Sequence, residues 1–191
     1  EGSSLRDNTV IILTSDHGWG MGEKDYLYKN SLWQESTRVP LVISVPGLTK
    51  PGVCEQPVSL IDLYPTLVDL CGLPSNTAKN TKGRPLDGHS LKPLLADPSG
   101  KWTGPTAVLT AMYKWANYYD PAKQNYTLRD QEWRYIRYEN GKEELYHFST
   151  DEHEWENLAL DSEYEEILVS YRNQLLKRIP KSIPAPKETA E

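Results

Sequence analysis

The sequence predicts an α/β chain whose second half turns antiparallel, and three observations carry that expectation. Two apolar runs, Thr9–Ser15 and Val39–Val45, read as strands, and the first is β-branched and shows no alternation. That is the pattern of strands buried on both faces of a parallel sheet. Two alternating runs, Trp133–Tyr138 and Glu143–Phe148, flank Asn140-Gly141, a strong short-range hairpin signal. Ser162-Glu163-Tyr164-Glu165 is a capping box that opens a helix with Ile167, Leu168, Leu175 and Leu176 on one face.

Taken in order, the first strand runs into a polar loop from Asp16 to about Ser36 that contains Gly18, Gly20 and Gly22. Pro46-Gly47 closes the second strand. Leu60, Leu63, Leu67 and Leu70 fall at helical spacing and predict a helix over Ser59–Leu70. Proline is tolerated only in a first turn, so Pro65 favours Asp62 over Ser59 as the N-cap. Gly72 stands at C′, and Pro74 blocks continuation. A polar loop, Ser75–Arg84, and the turn Asp87-Gly88-His89-Ser90 lead into a short helix, Leu91–Leu95. Ala107–Met112 reads as a strand and Asp151–Leu160 as a turn-rich segment. The last helix ends before Pro180, and residues 181–191, rich in Pro, Lys and Glu, are expected to be disordered. A boundary near Ser99–Gly104 divides an α/β part, residues 1–100, from an antiparallel part with a covering helix, residues 101–180. Two strands do not make a parallel sheet, which needs several with crossover helices. Either they pair in another way, or the chain is the C-terminal part of a larger protein. An exposed strand edge at Thr9–Ser15 then predicts self-association unless something covers it.

Composition narrows the partners. With 191 residues, 38% hydrophobic and 25% charged, the chain can build a core and reads as soluble and globular. A net charge of −6 without a basic stripe argues against nucleic acid. The apolar run at Val10–Leu13 is far short of a membrane span. No signal peptide opens the chain, but Glu1-Gly2-Ser3-Ser4 looks like an arbitrary entry into a longer chain or a cloning remnant, so this says nothing about compartment. The 12 Tyr and 6 Trp against a single Phe suit half-wet, sugar-facing surfaces, or reflect compositional drift. Cys54 and Cys71 permit one disulfide, which spacing alone does not decide.

The residues with chemistry cluster early. Asp16 and His17 follow the first strand directly. Strand-end carboxylates and imidazoles are frequent ligands of divalent cations, and a turn cap plus a surface histidine is the plainer alternative. Lys29 follows thirteen residues after Asp16; an ammonium acts as a point charge on an oxyanion if held near one, and otherwise faces solvent. Trp19 and Glu23 lie in the same loop and are candidates for shaping a substrate pocket. His89, His147 and His153 read as structural or surface residues. The acidic stretch Asp151, Glu152, Glu154 and Glu156 reads as a solvated turn, because it lacks EF-hand spacing.

The run Thr14-Ser15-Asp16-His17-Gly18-Trp19-Gly20-Met21-Gly22-Glu23, with Lys29 and Arg38-Val39-Pro40-Leu41, resembles the sulfatase family, in particular its iduronate-2-sulfatase-like branch. So do Ser59-Leu60-Ile61-Asp62-Leu63-Tyr64-Pro65-Thr66-Leu67, Asp87-Gly88-His89-Ser90-Leu91, Arg134-Tyr135-Ile136-Arg137-Tyr138, Glu144-Leu145-Tyr146 and Glu156-Asn157-Leu158. The likeness covers residues 8 to about 178.

The resemblance implies the C-terminal part of an alkaline-phosphatase-like α/β fold, with a smaller subdomain of antiparallel strands and a helix. It implies a sulfuric ester hydrolase acting on a sulfated saccharide or similar small molecule. The nucleophile would be a formylglycine made in a Cys/Ser-x-Pro-x-Arg motif, assisted by a calcium ion. By motif match Asp16 and His17 would ligate the metal, His17 and Lys29 would act catalytically on the sulfate side, and Lys29 would also bind the sulfate. Trp19 and Glu23 would line the substrate pocket. The compartment would be periplasmic, secreted or lysosome-like. This chain contains no Cys/Ser-x-Pro-x-Arg, so the expectation is that the nucleophile and the remaining metal carboxylates belong to an N-terminal part of the same sulfatase, and that the chain alone is inactive. Two other readings stay open. One is a phosphoester or phosphonate hydrolase of the same superfamily, and the other is a non-catalytic sulfatase-like binding module.

Overall fold

A computed structural model describes residues 2–75, 83–113 and 120–179. The tail expected to be disordered, and most of the Ser75–Arg84 loop, lie outside the described residues. By contacts the chain forms two units. One comprises Glu1–Asp16 with Val39–Thr106, the other His17–Arg38 with Ala107–Glu191. The loop after Asp16 thus groups with the C-terminal half, whereas the sequence reading kept it with residues 1–100.

In the first unit, β1 (Ile11–Thr14) pairs with β2 (Leu41–Ser44), and the pairing is antiparallel, Ile11 opposite Ser44 and Thr14 opposite Leu41. This corrects the expectation of a fully buried parallel strand. Ile11 and Leu13 are 62% and 56% exposed. Non-alternating apolar residues report that both faces are meant to be covered; they do not report strand direction. The helix of this unit begins as a 3-10 turn, Leu60–Asp62, and continues as α2 (Leu63–Leu70). Ser59 and Asp62 form a capping box, with Ser59 N donating to Asp62 Oδ2 at 2.8 Å. Ser59 is therefore the cap residue, and Asp62 its reciprocal partner. Pro65 is accommodated because the α-helical ladder starts only at Leu63. Gly72 has φ +62°, and Leu73 N returns to Val68 O at 2.9 Å, the glycine stop the sequence predicts. Asp62 Oδ1 also accepts from His89 N at 2.8 Å, and Thr66 Oγ1 from Leu91 N at 2.8 Å. These bonds fix the turn before α3 (Lys92–Ala96). Cys54 and Cys71 are both free and exposed.

In the second unit, β3 (Val108–Met112), β4 (Asn125–Arg129), β5 (Trp133–Arg137) and β6 (Glu143–His147) form an antiparallel sheet in sequence order. Arg137 pairs with Glu143 across the predicted hairpin, and Gly141 takes φ +81° in the turn. The sequence reading missed β4. Asn125-Tyr126-Thr127-Leu128 is buried on both faces, and its polar members obscure the strand pattern. The sheet face that carries Tyr126, Leu128, Tyr135 and Leu145 packs against Leu168, Tyr171 and Leu175 of α4 (Glu165–Arg178). The other face carries Ile136 and Tyr146 and packs on Leu32, with Trp33 beside it. Two details of α4 differ from expectation. Asp161, not Ser162, caps the preceding turn, accepting from Glu163 N at 3.0 Å. Leu176 is 53% exposed and not on the packed face; Tyr171 takes that place, a polar-tipped residue easily passed over in an apolar tally.

Candidate active site

The loop after β1 is shaped by glycines that admit close backbone approach. Gly18 N donates to Ser36 O at 3.0 Å, and a Cβ at Gly18 would lie 1.9 Å from Glu35 O. Gly20 N and Gly22 N donate to Tyr28 O and Tyr26 O at 3.0 and 3.1 Å, which folds the segment into a narrow ribbon with a 3-10 turn, Glu23–Asp25, at its tip. Gly22 takes φ +121° where the ribbon reverses.

At the open end of this ribbon His17 and Lys29 meet. Lys29 Nζ lies 3.0 Å from His17 Nε2, and His17 Nδ1 lies 2.7 Å from Gly18 O. An ammonium only donates, so Nε2 accepts, and the hydrogen-bond network assigns the ring proton to Nδ1, which donates to the carbonyl. Trp19 is exposed, its ring centred 6.3 Å from that of His17. Asp16 is exposed at the end of the first unit. Glu23 faces its own loop: Oε2 accepts from Met21 N at 2.6 Å, and the backbone N–H groups of Glu23 and Met21 hold its carboxyl below the usual carboxylate range. The structure thus joins His17, Lys29 and Trp19 at one end of the ribbon, with Glu23 at its tip.

Residues the sequence reading passed over hold this segment on the sheet. Arg134 Nε donates to Glu154 Oε1, and both side chains are shielded from solvent, 2% and 0% exposed. Arg134 Nη1 donates to Leu32 O at 3.0 Å, and Gln34 N donates to Glu154 Oε2 at 2.9 Å. Burial disfavours charge on either group alone, lowering the Arg134 guanidinium and raising the Glu154 carboxyl. The backbone of Leu32 and of α1 (Gln34–Thr37) is thereby tied to a buried pair. This corrects the reading of Glu154 as part of a solvated turn. Its φ of +59° turns the side chain inward, which no sequence period announces. A charged residue on an inward strand position, Arg134, was the available signal. His147 stacks on Trp133 at 4.3 Å, His89 lies edge-on to Trp102, and His153 is exposed, 3.3 Å from Glu152; none joins the site.

Among the described residues no three His, Cys, Asp or Glu side chains gather as a metal shell would require. Both ring nitrogens of His17 have hydrogen-bonding neighbours. Asp16 and His17 would need further donors to complete a cation shell.

The family model described as "N-sulphoglucosamine sulphohydrolase, C-terminal" matches residues 22–181. An arylsulfatase K of Danio rerio is 37% identical over 172 residues, covering 82% of this chain and 30% of that protein. A solved 2-O GAG sulfatase superposes with TM-score 0.76 at 28% identity, over 92% of this chain and 37% of that one. The phosphonate monoester hydrolase of Agrobacterium radiobacter superposes with TM-score 0.67, also at 28% identity, over 91% of this chain and 35% of that one. The chain therefore spans about a third of the length of the relatives it matches. With the family model matched over most of its length and a relative 37% identical over 82% of it, this chain belongs to the sulfatase family, as a C-terminal portion on the alkaline-phosphatase-like fold.

Proposed function

We propose that this chain supplies the leaving-group and sulfate-binding side of a sulfatase that hydrolyses sulfate esters on a saccharide. The observation that carries the reading is the Lys29–His17 contact at 3.0 Å. An ammonium has three N–H donors. One directed at His17 leaves two for oxygens of a sulfate ester. As the ester bond breaks, negative charge grows on the leaving oxygen, and fixed cationic donors favour that state over the ground state. With His17 Nδ1–H held by Gly18 O and Nε2 accepting from Lys29, the imidazole keeps the ammonium aimed, and the proton taken up by the leaving oxygen comes from the Lys29 ammonium. Trp19 offers an exposed aromatic face beside this pair for a sugar ring. By family analogy, a formylglycine held by an N-terminal part of the parent protein would supply the attack on sulfur. The divalent cation, calcium by family analogy, needs donors beyond Asp16. The compartment by the same analogy is periplasmic, secreted or lysosome-like. Among the described residues no helix is long and apolar enough to cross a membrane.

The test is Lys29→Met and Lys29→Arg in the parent protein, assayed on a sulfated saccharide. Loss of one preorganised donor costs about 10²–10³-fold in rate, so Lys29→Met should lose at least about 100-fold in kcat/KM. A loss below about 3-fold refutes the assignment. The isolated chain should show no turnover. Superposition on a phosphonate monoester hydrolase supports a second reading, phosphonate or phosphoester hydrolysis. Faster turnover of a phosphonate monoester than of any sulfate ester by the parent selects it. Absence of Cys/Ser-x-Pro-x-Arg in the parent's upstream sequence would instead select a non-catalytic module.

A further inference from the structure

We propose that Lys24 is a positioning residue for the substrate-facing loop: its ammonium, set beside Trp33 and Tyr146, which both donate to the Glu144 carboxylate, pins the ribbon tip so that Trp19 and Lys29 at the open end hold their places. The inference rests on the sulfatase reading for its kinetic consequence, though not for its structural one.

Four observations carry it. Lys24 Nζ lies 4.6 Å from the Tyr146 ring centre and 5.2 Å from that of Trp33, and it donates to Tyr146 Oη at 3.2 Å. Glu144 fixes the box: its carboxylate accepts from Trp33 Nε1 at 2.8 Å and from the hydroxyls of Tyr138 and Tyr146 at 2.9 Å each. Both rings that neighbour the ammonium are therefore anchored by one carboxylate, and the Tyr146 hydroxyl that accepts from Lys24 donates onward to Glu144. Lys24 and Asp25 both take φ +56°, a left-handed conformation that side chains with a Cβ rarely adopt, so the surroundings must enforce it. Finally, among the described residues the two arms of the ribbon are joined by the backbone bonds of Gly20 and Gly22. Without a pin at the tip, the arm that carries Trp19 and Lys29 would swing about them. The box is built from β6, through Glu144 and Tyr146, and from Trp33 next to α1. All of these residues belong to the same unit as the ribbon.

A charge-free lysine isostere separates this from simple packing. Lys24→Met keeps the length and apolar stem and removes the ammonium; Lys24→Arg restores a cation that stacks on aromatic rings. A partly desolvated cation–π contact corresponds to about 2- to 30-fold in an equilibrium constant. In the parent protein Lys24→Met should raise KM for the sulfate ester about 5- to 30-fold and change kcat less than 3-fold. Its Tm should stay within about 2 °C, and Lys24→Arg should return KM to within about 3-fold. Hydrogen exchange at the Gly20 and Gly22 amides should speed up at least about 5-fold in Lys24→Met, while amides of β4 and β5 keep their rates. Unchanged exchange at those glycines, or a KM unmoved when exchange rises, overturns the proposal. A parent protein that turns over no sulfate ester overturns the sulfatase reading alone, because the exchange measurement needs no substrate and still decides the pin.

Discussion

Neutralising one member of the Arg134–Glu154 pair should be far worse than neutralising both. The pair is completely desolvated, with Arg134 2% and Glu154 0% exposed. Removing one partner of such a pair leaves an uncompensated buried charge and costs about 3–5 kcal/mol. Glu154→Gln keeps the volume and an acceptor for Gln34 N but strands the guanidinium. Arg134→Met strands the carboxylate and leaves Leu32 O without its 3.0 Å donor. Single costs near 4 kcal/mol each would add to about 8. In the double variant no buried charge remains, and the residual cost is the orphaned Leu32 carbonyl, about 1–3 kcal/mol. Urea unfolding of the 191-residue chain at pH 7, followed by tryptophan fluorescence, should therefore give a coupling of at least about 3 kcal/mol. Additivity within about 0.5 kcal/mol would refute the reasoning. Titration adds an internal check. Burial already raises the Glu154 carboxyl, and Arg134→Met removes the group that opposes this. The folded state then binds the proton more tightly than the unfolded state, so this variant should gain stability as pH falls from 7 to 5.

Two further outcomes follow from local geometry. Gly18→Ala places a methyl group 1.9 Å from Glu35 O and 3.2 Å from Arg38 O, so backbone must move and the Gly18–Ser36 bond is lost; thermal unfolding should report at least about 2 kcal/mol of destabilisation, and a change under 0.5 contradicts the contact. The Arg172 guanidinium, followed by the Tyr135 hydroxyl at 2.5 Å, holds the Glu143 carboxyl below its ordinary value of 4.5. A depressed carboxyl contributes stability that is present above 4.5 and lost as pH falls through its folded value, so Glu143→Gln should narrow the Tm difference between pH 6 and pH 3, measured by calorimetry. A Tm difference as large as in the unaltered chain would count against that role.

The hairpin at Asn140-Gly141 and the glycine stop at Gly72 were legible from residues alone. Each depends on short-range chemistry: a turn that needs positive φ and a helix end. Lys29 on its own read as solvent-facing, and only the family resemblance set it with His17. Strand direction at β1 was not legible, because a doubly covered strand looks the same in either direction. Strand β4 was hidden because Asn125 and Thr127 are polar yet buried, their hydrogen bonds closed by Glu139 N and Tyr135 O. Lys24, Glu144, Arg134 and Glu154 were hidden for a related reason. Lys24 meets Tyr146 122 residues away, Glu144 meets Trp33 111 away and Arg134 meets Glu154 20 away, and a charged side chain reads as solvated until its counterpart is known.

The closeness of Gly18 to Glu35 and Arg38 has a meaning for anyone who wishes to move this motif. The His17-Gly18 step is not a portable cassette. Its conformation is written jointly by two stretches about eighteen residues apart, Gly18 N seated on Ser36 O and no room for a Cβ between them. Transplanting Ser-Asp-His-Gly after a strand of another scaffold would carry the letters and lose the geometry. The smallest transferable unit runs from His17 through Arg38, together with the sheet face that grips Leu32 and Gln34.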